Sequence, residues 1–378
     1  MKIGFDAKRI YHNRTGLGNY SRDLVRIVSR LYPEHRYFLF NPKRSTGSLF
    51  SCDSKSVTEI LPSSKISQFF YNSWRQFFIK KDILQNGIEI FHGLSGEIPF
   101  GLNKKRIKTV VTVHDLIFLR YPQFYSVFDR FIHKLKAKYA VRNADVVVAV
   151  SEQTKRDIVE FFNIRPDKIR VIYQGCQDVF KQAFDTGAKE RVLAKFSLPS
   201  RFILNVGTIE ERKNILAGVK AIRDMDVHLV IVGAETAYTR QVKDYISEHN
   251  IASKVHFLMG VSSEELAILY QAAQVFIYPS LFEGFGIPII EALFSKTPVI
   301  TSKDGCFPEA GGPSSIYIDP KDPEALKAAI EMVLNDANLS LKMQEEGLAY
   351  AQRFTSEYIG RSIMEVYMNC LNSKTTTI

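Results

Sequence analysis

Short apolar runs alternate with amphipathic stretches from one end of the chain to the other, and this alternation constrains the fold more than any other feature of the sequence. Continuous apolar runs are typical of strands buried on both faces of a parallel sheet, and the amphipathic stretches between them are typical of covering helices. The pattern therefore predicts the α/β class. The chain has 378 residues, 46% of them apolar, which is enough to bury the cores of two domains. That composition excludes a disordered or low-complexity protein.

The predicted strands form two series separated by one irregular stretch. The first series comprises Lys2–Asp6, Tyr37–Phe40, Val57–Leu61, Ile88–His92, Lys108–His114, Asp145–Val150 and Lys168–Ile172, and the second comprises Phe202–Val206, His228–Val232, Val255–Phe257, Val275–Tyr278, Pro298–Thr301 and Ser315–Ile318. Helices are predicted at Asn19–Leu31, Ser67–Leu84, Phe128–Arg142, Glu152–Phe162, Asn214–Arg223, Thr236–His249, Ser263–Gln271, Ile287–Phe294 and Pro323–Leu334, with one or two more from Leu339 onward. We interpret 176–200, which contains Gly187 and Pro199, as an interdomain linker. The two series predict two doubly wound domains, 1–175 and 201–355, that face each other across a ligand-binding cleft.

Charge is distributed unevenly along the chain. Residues 1–190 carry 32 Lys and Arg against 18 Asp and Glu, whereas residues 191–378 carry 18 against 22. The net charge of +10 thus combines +14 in the first part with −4 in the second. Nucleic acid, an anionic membrane surface or a phosphorylated substrate would each explain the basic part, and so would an ordinary basic surface.

Cysteine spacing and hydropathy predict the compartment. The four cysteines, Cys52, Cys176, Cys306 and Cys370, include no C-x-x-C pair, which argues against a zinc ribbon or a dense disulfide framework and favours a reducing compartment. Charge at Lys2 argues against a signal peptide, and no apolar run approaches the ~18 residues of a membrane helix. We expect a cytoplasmic protein.

The segment from Tyr278 to Glu291, Y-P-S-L-F-E-G-F-G-I-P-I-I-E, is the most informative motif. Its two glycines, Gly284 and Gly286, stand between a predicted strand and a predicted helix, where main-chain N–H groups can bind an anion. Glu283 and Glu291 bracket this turn with seven residues between them. Carboxylates are good acceptors for the vicinal hydroxyls of ribose or hexose, so we interpret the motif as a sugar-phosphate site rather than a plain glycine turn.

Two further loops follow strands and carry groups suited to a diphosphate. The first, V-G-T-I-E-E-R-K-N, places Arg212 and Lys213 shortly after Gly207, and these cations either bind a diphosphate or form a solvated helix entrance. The second, T-G-L-G, contains Gly16 and Gly18, whose backbone amides could approach a phosphate. It is not a dinucleotide fingerprint, because the third glycine of G-x-G-x-x-G is missing.

Other residues leave alternatives open. His114, at the end of a predicted strand, either contacts a sugar near the reacting centre or is a satisfied structural histidine. The loop 302–313, with Pro308 and Glu309, either borders a nucleotide or merely connects two elements. No histidine or carboxylate pattern indicates a metal site. The aromatic and basic stretch 66–81 is interpreted as a core-facing helix, the alternatives being an interfacial membrane helix or a nucleic-acid contact.

With these motifs in view, the chain resembles the retaining glycosyltransferases of family 4, which have the GT-B fold of two Rossmann-like domains. The family's E-x7-E signature is matched by Glu283 and Glu291, and its donor pyrophosphate region by Arg212 and Lys213. The resemblance implies that Glu283 contacts the hexose of a nucleotide-sugar donor, Glu291 its ribose, and Arg212 with Lys213 its diphosphate. It further implies that Gly16 and Gly18 approach the phosphates, that His114 lies near the transferred sugar, and that a final helix in 356–378 packs on the first domain.

We therefore expect a metal-independent hexosyltransferase that uses no cofactor besides its GDP- or UDP-linked co-substrate. The expected catalytic residues are Glu283, His114, Arg212 and Lys213, and the expected donor-binding residues are Gly16, Gly18, Gly207, Arg212, Lys213, Glu283, Gly284, Phe285, Gly286 and Glu291. Mannose is the favoured sugar, because the V-G-T-x-E-x-R-K-N segment resembles that of bacterial mannosyl- and rhamnosyltransferases. The expected acceptor is a glycan or lipid-linked glycan of cell-surface polysaccharide, with peripheral contact at the inner face of the membrane and no nucleic-acid partner. The alternatives are a basic nucleic-acid-binding protein and a sugar-nucleotide epimerase.

Overall fold

The computed structural model describes residues 1–45, 49–51, 54–63, 69–102 and 107–372, without the side chain of Asn72. It divides into two units, of which unit 1 comprises 1–174 with the segment from 356 onward, and unit 2 comprises 175–355. Cys52 and the first residues of the aromatic stretch, 66–68, lie outside the described residues.

Unit 1 contains, within its described residues, a sheet of seven parallel strands in the order β3-β2-β1-β4-β5-β6-β7. The strands are β1 (Lys2–Asp6), β2 (Arg36–Phe40), β3 (Val57–Ile60), β4 (Ile90–Gly93), β5 (Lys108–Val113), β6 (Val146–Ala149) and β7 (Ile169–Val171). All seven overlap predicted strands. Strand β1 lies between β2 and β4, pairing Ile3 with Tyr37 on one side and with Ile90 on the other. The strand order therefore reverses direction between β1 and β4, where ligands bind in doubly wound sheets.

The helices of unit 1 cover both faces of this sheet. They are α1 (Lys8–His12), α2 (Gly16–Leu31), α3 (Tyr71–Ser73), α4 (Ile79–Gln85), α5 (Ile117–Arg120), α6 (Val127–Asn143) and α7 (Glu152–Phe162), with a π-helical turn at Trp74–Phe78 between α3 and α4. Ser151 begins α7 as predicted, because its hydroxyl accepts a hydrogen bond from Thr154 N at 3.0 Å.

Unit 2 contains a second parallel sheet, with six strands among the described residues in the order β10-β9-β8-β11-β12-β13. The strands are β8 (Phe202–Val206), β9 (His228–Val232), β10 (Val255–Leu258), β11 (Val275–Tyr278), β12 (Val299–Ser302) and β13 (Ile316–Ile318). They all match the prediction, and the direction of the strand order reverses between β8 and β11.

The helices of unit 2 begin within the stretch that we interpreted as a linker. They are α8 (Thr186–Lys195), α9 (Ile215–Ala221), α10 (Tyr238–Glu248), α11 (Ser263–Ala272), α12 (Ile287–Phe294), α13 (Phe307–Gly311), α14 (Pro323–Asn335) and α15 (Ala337–Ala351). The apolar period of 176–200 is too weak to predict α8, because Val192 is the single buried residue of that helix. The loop predicted at 302–313 likewise contains the short helix α13.

The last helix, α16 (Ser356–Asn372), belongs to unit 1. Its residues Ile363, Met364 and Tyr367 are buried in the same core cluster as Ile3 and Phe5 of β1. Gly360 allows close approach to α2, because a Cβ at this position would lie only 2.6 Å from Leu31 Cδ1. Among the described residues, no helix has the length and apolarity needed to cross a membrane.

The aromatic stretch differs from the core-facing helix that we predicted. Trp74 and Arg75 are buried, and the indole Nε1 of Trp74 donates to Asp82 at 2.7 Å. Phe77 and Phe78, by contrast, are more than half exposed. The sequence spacing could not separate these faces, because the π-helical turn at Trp74–Phe78 shifts the helical phase.

Candidate active site

The principal candidate site of unit 2 lies where β8 and β11 end side by side. The loop after β8 carries Arg212 and Lys213, and the loop after β11 carries Glu283. The two loops are joined through the main chain, since Leu281 N donates to the carbonyl of Arg212 at 2.8 Å. Asn214 adds a side-chain link, its amide donating to the carbonyl of Pro279 at 3.1 Å.

Arg212, Lys213 and Glu283 form one ion cluster. Glu283 Oε1 lies 2.8 Å from Arg212 Nη1 and 2.6 Å from Lys213 Nζ. Tyr278, at the end of β11, donates its hydroxyl to the same oxygen at 3.1 Å, and its ring lies beneath the Lys213 ammonium at 4.9 Å. Glu210 holds the other end of the guanidinium, with its Oε1 2.5 Å from Arg212 Nη2. The two sequence motifs therefore converge on one site whose charged groups are largely buried.

The surroundings of this cluster fix its charges. Burial by itself raises the pKa of Glu283, but the charges and hydrogen bonds of Lys213 and Arg212 outweigh burial and lower that pKa to about 2. Burial and the neighbouring Glu283 carboxylate raise the pKa of Tyr278 well above its usual value. Glu283 is thus a carboxylate and Tyr278 a neutral phenol at neutral pH, so both can accept hydrogen bonds from sugar hydroxyls while the phenol can also donate.

Glycines shape the main chain around the cluster. Gly207 and Gly286 have φ of +150° and +121°, which favour glycine. A Cβ on Gly207 would lie 3.5 Å from the Lys213 side chain, an ordinary contact distance, so the backbone conformation rather than the space requires glycine at this position. Gly284 precedes Phe285, whose ring is buried and packs edge-on against Phe354 at a centroid distance of 5.5 Å. The Phe285 ring thus serves the core, and any contact of this residue with a donor would come from its main chain.

Glu291 lies within α12, one turn beyond its start. Its Oε2 accepts a hydrogen bond from the hydroxyl of Tyr270 at 3.0 Å. Tyr270 is fully buried and packs against Phe276 of β11, so the phenol holds the carboxylate in a defined position. The predicted ribose contact of Glu291 stays a prediction.

His114 follows β5 in unit 1 and is held by two hydrogen bonds. Its Nε2 lies 2.9 Å from the carbonyl of Leu94, and its Nδ1 lies 2.8 Å from the Gln174 amide nitrogen. Because Leu94 offers only an acceptor, Nε2 carries the proton and Nδ1 accepts from Gln174. Burial lowers the pKa of His114 to about 4, so the ring is neutral at neutral pH. An imidazole whose two nitrogens are both engaged in this way is suited to positioning rather than to proton transfer.

Gly16 and Gly18 have different surroundings at the start of α2. A Cβ at Gly18 would lie 2.0 Å from the carbonyl oxygen of Asn13, whereas one at Gly16 would meet nothing within 4 Å. The amide of Gly18 donates to Asn13 Oδ1 at 3.0 Å. Gly18 therefore has a packing role in this structure, and the predicted phosphate contacts of both glycines stay predictions.

Sequence reasoning missed a buried charge network at the switch point of the first sheet. Asp6, at the end of β1, binds Arg75 Nε through Oδ2 at 2.8 Å, and Arg75 Nη1 lies 2.6 Å from Glu97 Oε2. Lys136 of α6 reaches the other oxygen of Glu97 at 3.4 Å. The signal was present as single charged residues at the end of β1 and after β4, but Arg75 lies in the π-helical turn of the aromatic stretch, where the sequence spacing did not show which side chains point inward.

A small cavity adjoins this network. It has a volume of about 170 Å³, and its lining includes His114, Asp115, Glu97, Lys136 and Arg9. Such a mixture of acids, bases and a neutral imidazole suits a polyhydroxylated ligand. Among the described residues, no group of three or more His, Cys, Asp or Glu side chains is placed to hold a metal ion.

Two known family models match the chain, one largely in each unit. The family model described as Glycosyltransferase Family 4 matches residues 15–178, and the model described as Glycosyl transferases group 1 matches residues 189–349. Together the two matches span most of unit 1 and unit 2. The chain belongs to glycosyltransferase family 4. The family resemblance read from the E-x7-E and R-K motifs is therefore confirmed.

Relatives of this glycosyltransferase include enzymes of O-antigen synthesis. O-antigen chain mannosyltransferase B of Escherichia coli is 25% identical over 97% of this chain and 99% of its own length. O-antigen chain mannosyltransferase RfbU of Salmonella typhimurium is 34% identical over 62% of this chain and 66% of its own length.

Solved structures confirm the GT-B fold. Sucrose-phosphate synthase from Thermosynechococcus elongatus aligns with a TM-score of 0.80 at 21% identity, covering 99% of this chain and all of its own. HepE from Anabaena in complex with UDP-glucose aligns with a TM-score of 0.74 at 17% identity, covering 98% of this chain and all of its own.

Proposed function

We propose that this glycosyltransferase moves a hexose, with mannose as the first choice, from a GDP- or UDP-linked donor to a glycan or lipid-linked glycan, with retention of anomeric configuration. The observation that carries the proposal is the cluster of Arg212, Lys213 and Glu283 at the switch point of the second sheet. Two cations beside a carboxylate match a diphosphate linked to a sugar. The mannosyltransferase names of two relatives favour mannose, and the UDP-glucose complex of HepE favours a nucleotide sugar.

The charge balance of the cluster suggests how a diphosphate binds. Arg212 and Lys213 carry two positive charges, which are matched by the carboxylates of Glu283 and Glu210. Glu210 is the more exposed of the two acids, at 38% against 12% for Glu283. We therefore expect the diphosphate to displace Glu210 from Arg212, while Glu283 stays in place to accept hydrogen bonds from hexose hydroxyls.

The same groups support transfer on one face of the donor. The bond from the anomeric carbon to the diphosphate oxygen breaks, the acceptor oxygen bonds to that carbon from the same side, and the acceptor proton passes to the departing diphosphate. The protein then has to position the donor and stabilise the charge that develops on the diphosphate. Arg212 and Lys213 supply that stabilisation, and no metal ion is required. Family membership favours this transfer over the nucleic-acid-binding and epimerase alternatives.

The experiment is a transfer assay with purified protein and a panel of GDP, UDP, dTDP and ADP sugars. Arg212→Ala and Lys213→Ala should each lower turnover by about 10²-fold with the fold intact, because each removes a charge aimed at the leaving group. Arg223→Ala is the control, since Arg223 is an exposed arginine of the same unit whose partner is Asp224. Near-normal turnover in both site variants, or an equal loss in the control, would contradict the proposal.

Two further measurements address the finer points. The anomeric configuration of the product, read by NMR, tests retention, and full activity in the presence of EDTA tests metal independence. The expected location, in the cytoplasm or at the inner face of the membrane, stays a prediction that cell fractionation can check.

A further inference from the structure

Unit 1 exposes an unusual number of large aromatic side chains on two helical segments. Six phenylalanines are more than half exposed, and they are Phe69, Phe70, Phe77, Phe78, Phe128 and Phe131. At about 200 Å² for each ring, they present roughly 700 Å² of apolar surface, compared with the ~300–600 Å² of the largest patch on a typical monomer. Such a surface indicates an interaction site rather than ordinary surface variation.

The first segment, 69–85, carries apolar side chains on its inner face and on its outer face. Trp74, Ile79 and Ile83 face inward and are fully buried in a small core cluster. Phe69 and Phe70 are exposed and pack edge-on against each other, with ring centroids 4.9 Å apart. The core is therefore already filled by other side chains, and the outward phenylalanines contribute nothing to it.

The second segment is α6. Val127, Phe131 and Leu135 recur at intervals of four residues and lie on one exposed face, which Phe128 extends. Phe128 is 72% exposed. The inner face of α6 is supplied by Ala137, Ala140 and Val141, which are buried in the core of unit 1. Helix α6 thus packs on the core through its C-terminal half, and its N-terminal half, in which no residue is fully buried, carries the exposed apolar face.

Aromatic contacts join the two segments. Phe77 stacks on Phe100 at a centroid distance of 5.2 Å, and Phe100 contacts Tyr139 of α6 at 4.4 Å. Tyr139 follows Leu135 by one helical turn, so it continues the exposed row of α6. We call the outward side chains of these two segments the aromatic face.

Positive charge surrounds the aromatic face. Helix α6 contains five Lys and Arg residues and one acid, Asp129. Lys134 and Lys138 follow Val127 at helical spacing, and Lys134 is exposed whereas Lys138 is half-buried. Lys80 and Lys81 adjoin Phe77 and Phe78 in the other segment. The acid of that segment, Asp82, is buried and bonded to Trp74.

We propose that the aromatic face docks unit 1 onto an anionic lipid surface. Phenylalanines that enter the boundary between headgroups and acyl chains, with lysines beside them for anionic headgroups, are the chemistry that an interfacial surface requires. Charge complementarity favours this occupant, because the exposed lysines repel a second copy of the same face. The inference goes beyond the transferase activity and does not depend on it.

The test is flotation of the full chain with vesicles in the absence of any nucleotide or acceptor. One set of vesicles contains phosphatidylglycerol with phosphatidylethanolamine, and the other contains phosphatidylcholine alone. The protein should float with the first set, and the double variant Phe128→Ser, Phe131→Ser should bind at least about tenfold more weakly. Lys134→Gln with Lys138→Gln should weaken binding by about fivefold per lysine at low salt, and less at high salt.

The matched control is Met259→Ser with Leu341→Ser, two side chains of unit 2 that are likewise more than half exposed. It should float as well as the wild type, and circular dichroism should be unchanged in all variants. Equal binding to both vesicle sets, or no effect of the phenylalanine variant, overturns the proposal. The proposal is also overturned if the aromatic face mediates self-association, detected by sedimentation, or binds single-stranded nucleic acid, detected by fluorescence anisotropy. Because no substrate is used, failure here leaves the proposed function untouched, and failure of the transfer assay leaves this result untouched.

Discussion

Replacement of Glu283 by Gln should weaken the fold in a pH-dependent manner. The two cations lower the pKa of this carboxyl from its ordinary value of 4.5 to about 2. Since a tenfold change in a dissociation constant corresponds to ~1.4 kcal/mol, the carboxylate contributes about 3 kcal/mol to the free energy of unfolding at neutral pH. Little discount for solvent screening is needed, because the side chain is only 12% exposed. Glu283→Gln removes this contribution and leaves Arg212 and Lys213 beside each other.

The sign of the pH dependence follows from the direction of the pKa change. A carboxyl whose pKa is lower in the folded state contributes stability above its unfolded pKa of 4.5, and that stability declines as the pH falls towards 2. The difference between wild type and Glu283→Gln should therefore be about 3 kcal/mol at pH 7 and about 2 kcal/mol near pH 3.5.

Urea unfolding followed by circular dichroism measures this difference at each pH. Glu210→Gln is the matched control, because Glu210 shares the partner Arg212 but is 38% exposed, and it should cost less than about 1 kcal/mol. A difference for Glu283→Gln that is below about 1 kcal/mol at pH 7, or that does not shrink towards acid pH, would refute the electrostatic reasoning.

Two other substitutions test the packing of unit 1. Gly18→Ala should lower the free energy of unfolding by about 1–3 kcal/mol, because the added Cβ would lie 2.0 Å from the carbonyl oxygen of Asn13. Gly16→Ala should not destabilise the fold, because a Cβ at Gly16 meets nothing within 4 Å. Equal effects of the two variants in urea unfolding would contradict the packing described at the start of α2. Arg75→Met should cost about 3–5 kcal/mol, because it removes the buried cation that binds Asp6 and leaves Glu97 with Lys136 alone. Arg165→Met, at an exposed pair with Asp167, should cost less than about 1 kcal/mol, and equal costs for the two variants would contradict a stabilising role of the buried network.

The strands were predictable because parallel strands buried on both faces leave an unmistakable apolar signal. All thirteen described strands overlap predicted ones, and Val206 and Tyr278 end strands as expected. Helices were less predictable where few of their residues are buried, as in α8, or where they are a single turn long, as in α13. In the aromatic stretch, the π-helical turn after Ser73 changes the helical spacing, so the spacing of the apolar residues did not predict which side chains are buried.

The site was predictable only in part, and the reason is physical. Because parallel strands end at one edge of the sheet, the loops that carry Arg212, Lys213 and Glu283 could be placed on the same edge from the sequence. The same rule does not predict the ion pair between Glu210 and Arg212, because that pair depends on the turn at Glu211–Lys213. The rule also does not predict the contact between Asp6 and Arg75. These residues are 69 positions apart in the sequence, and their contact depends on where the helical segment that carries Arg75 packs on the sheet.

The most direct measurement of the central claim is a crystal structure of the protein with a GDP- or UDP-linked hexose. We expect the diphosphate oxygens within hydrogen-bond distance of Arg212 and Lys213, the hexose hydroxyls on Glu283, and Glu210 released from the guanidinium. A nucleotide sugar bound elsewhere, with the ion cluster of Arg212, Lys213 and Glu283 unchanged, would contradict the account.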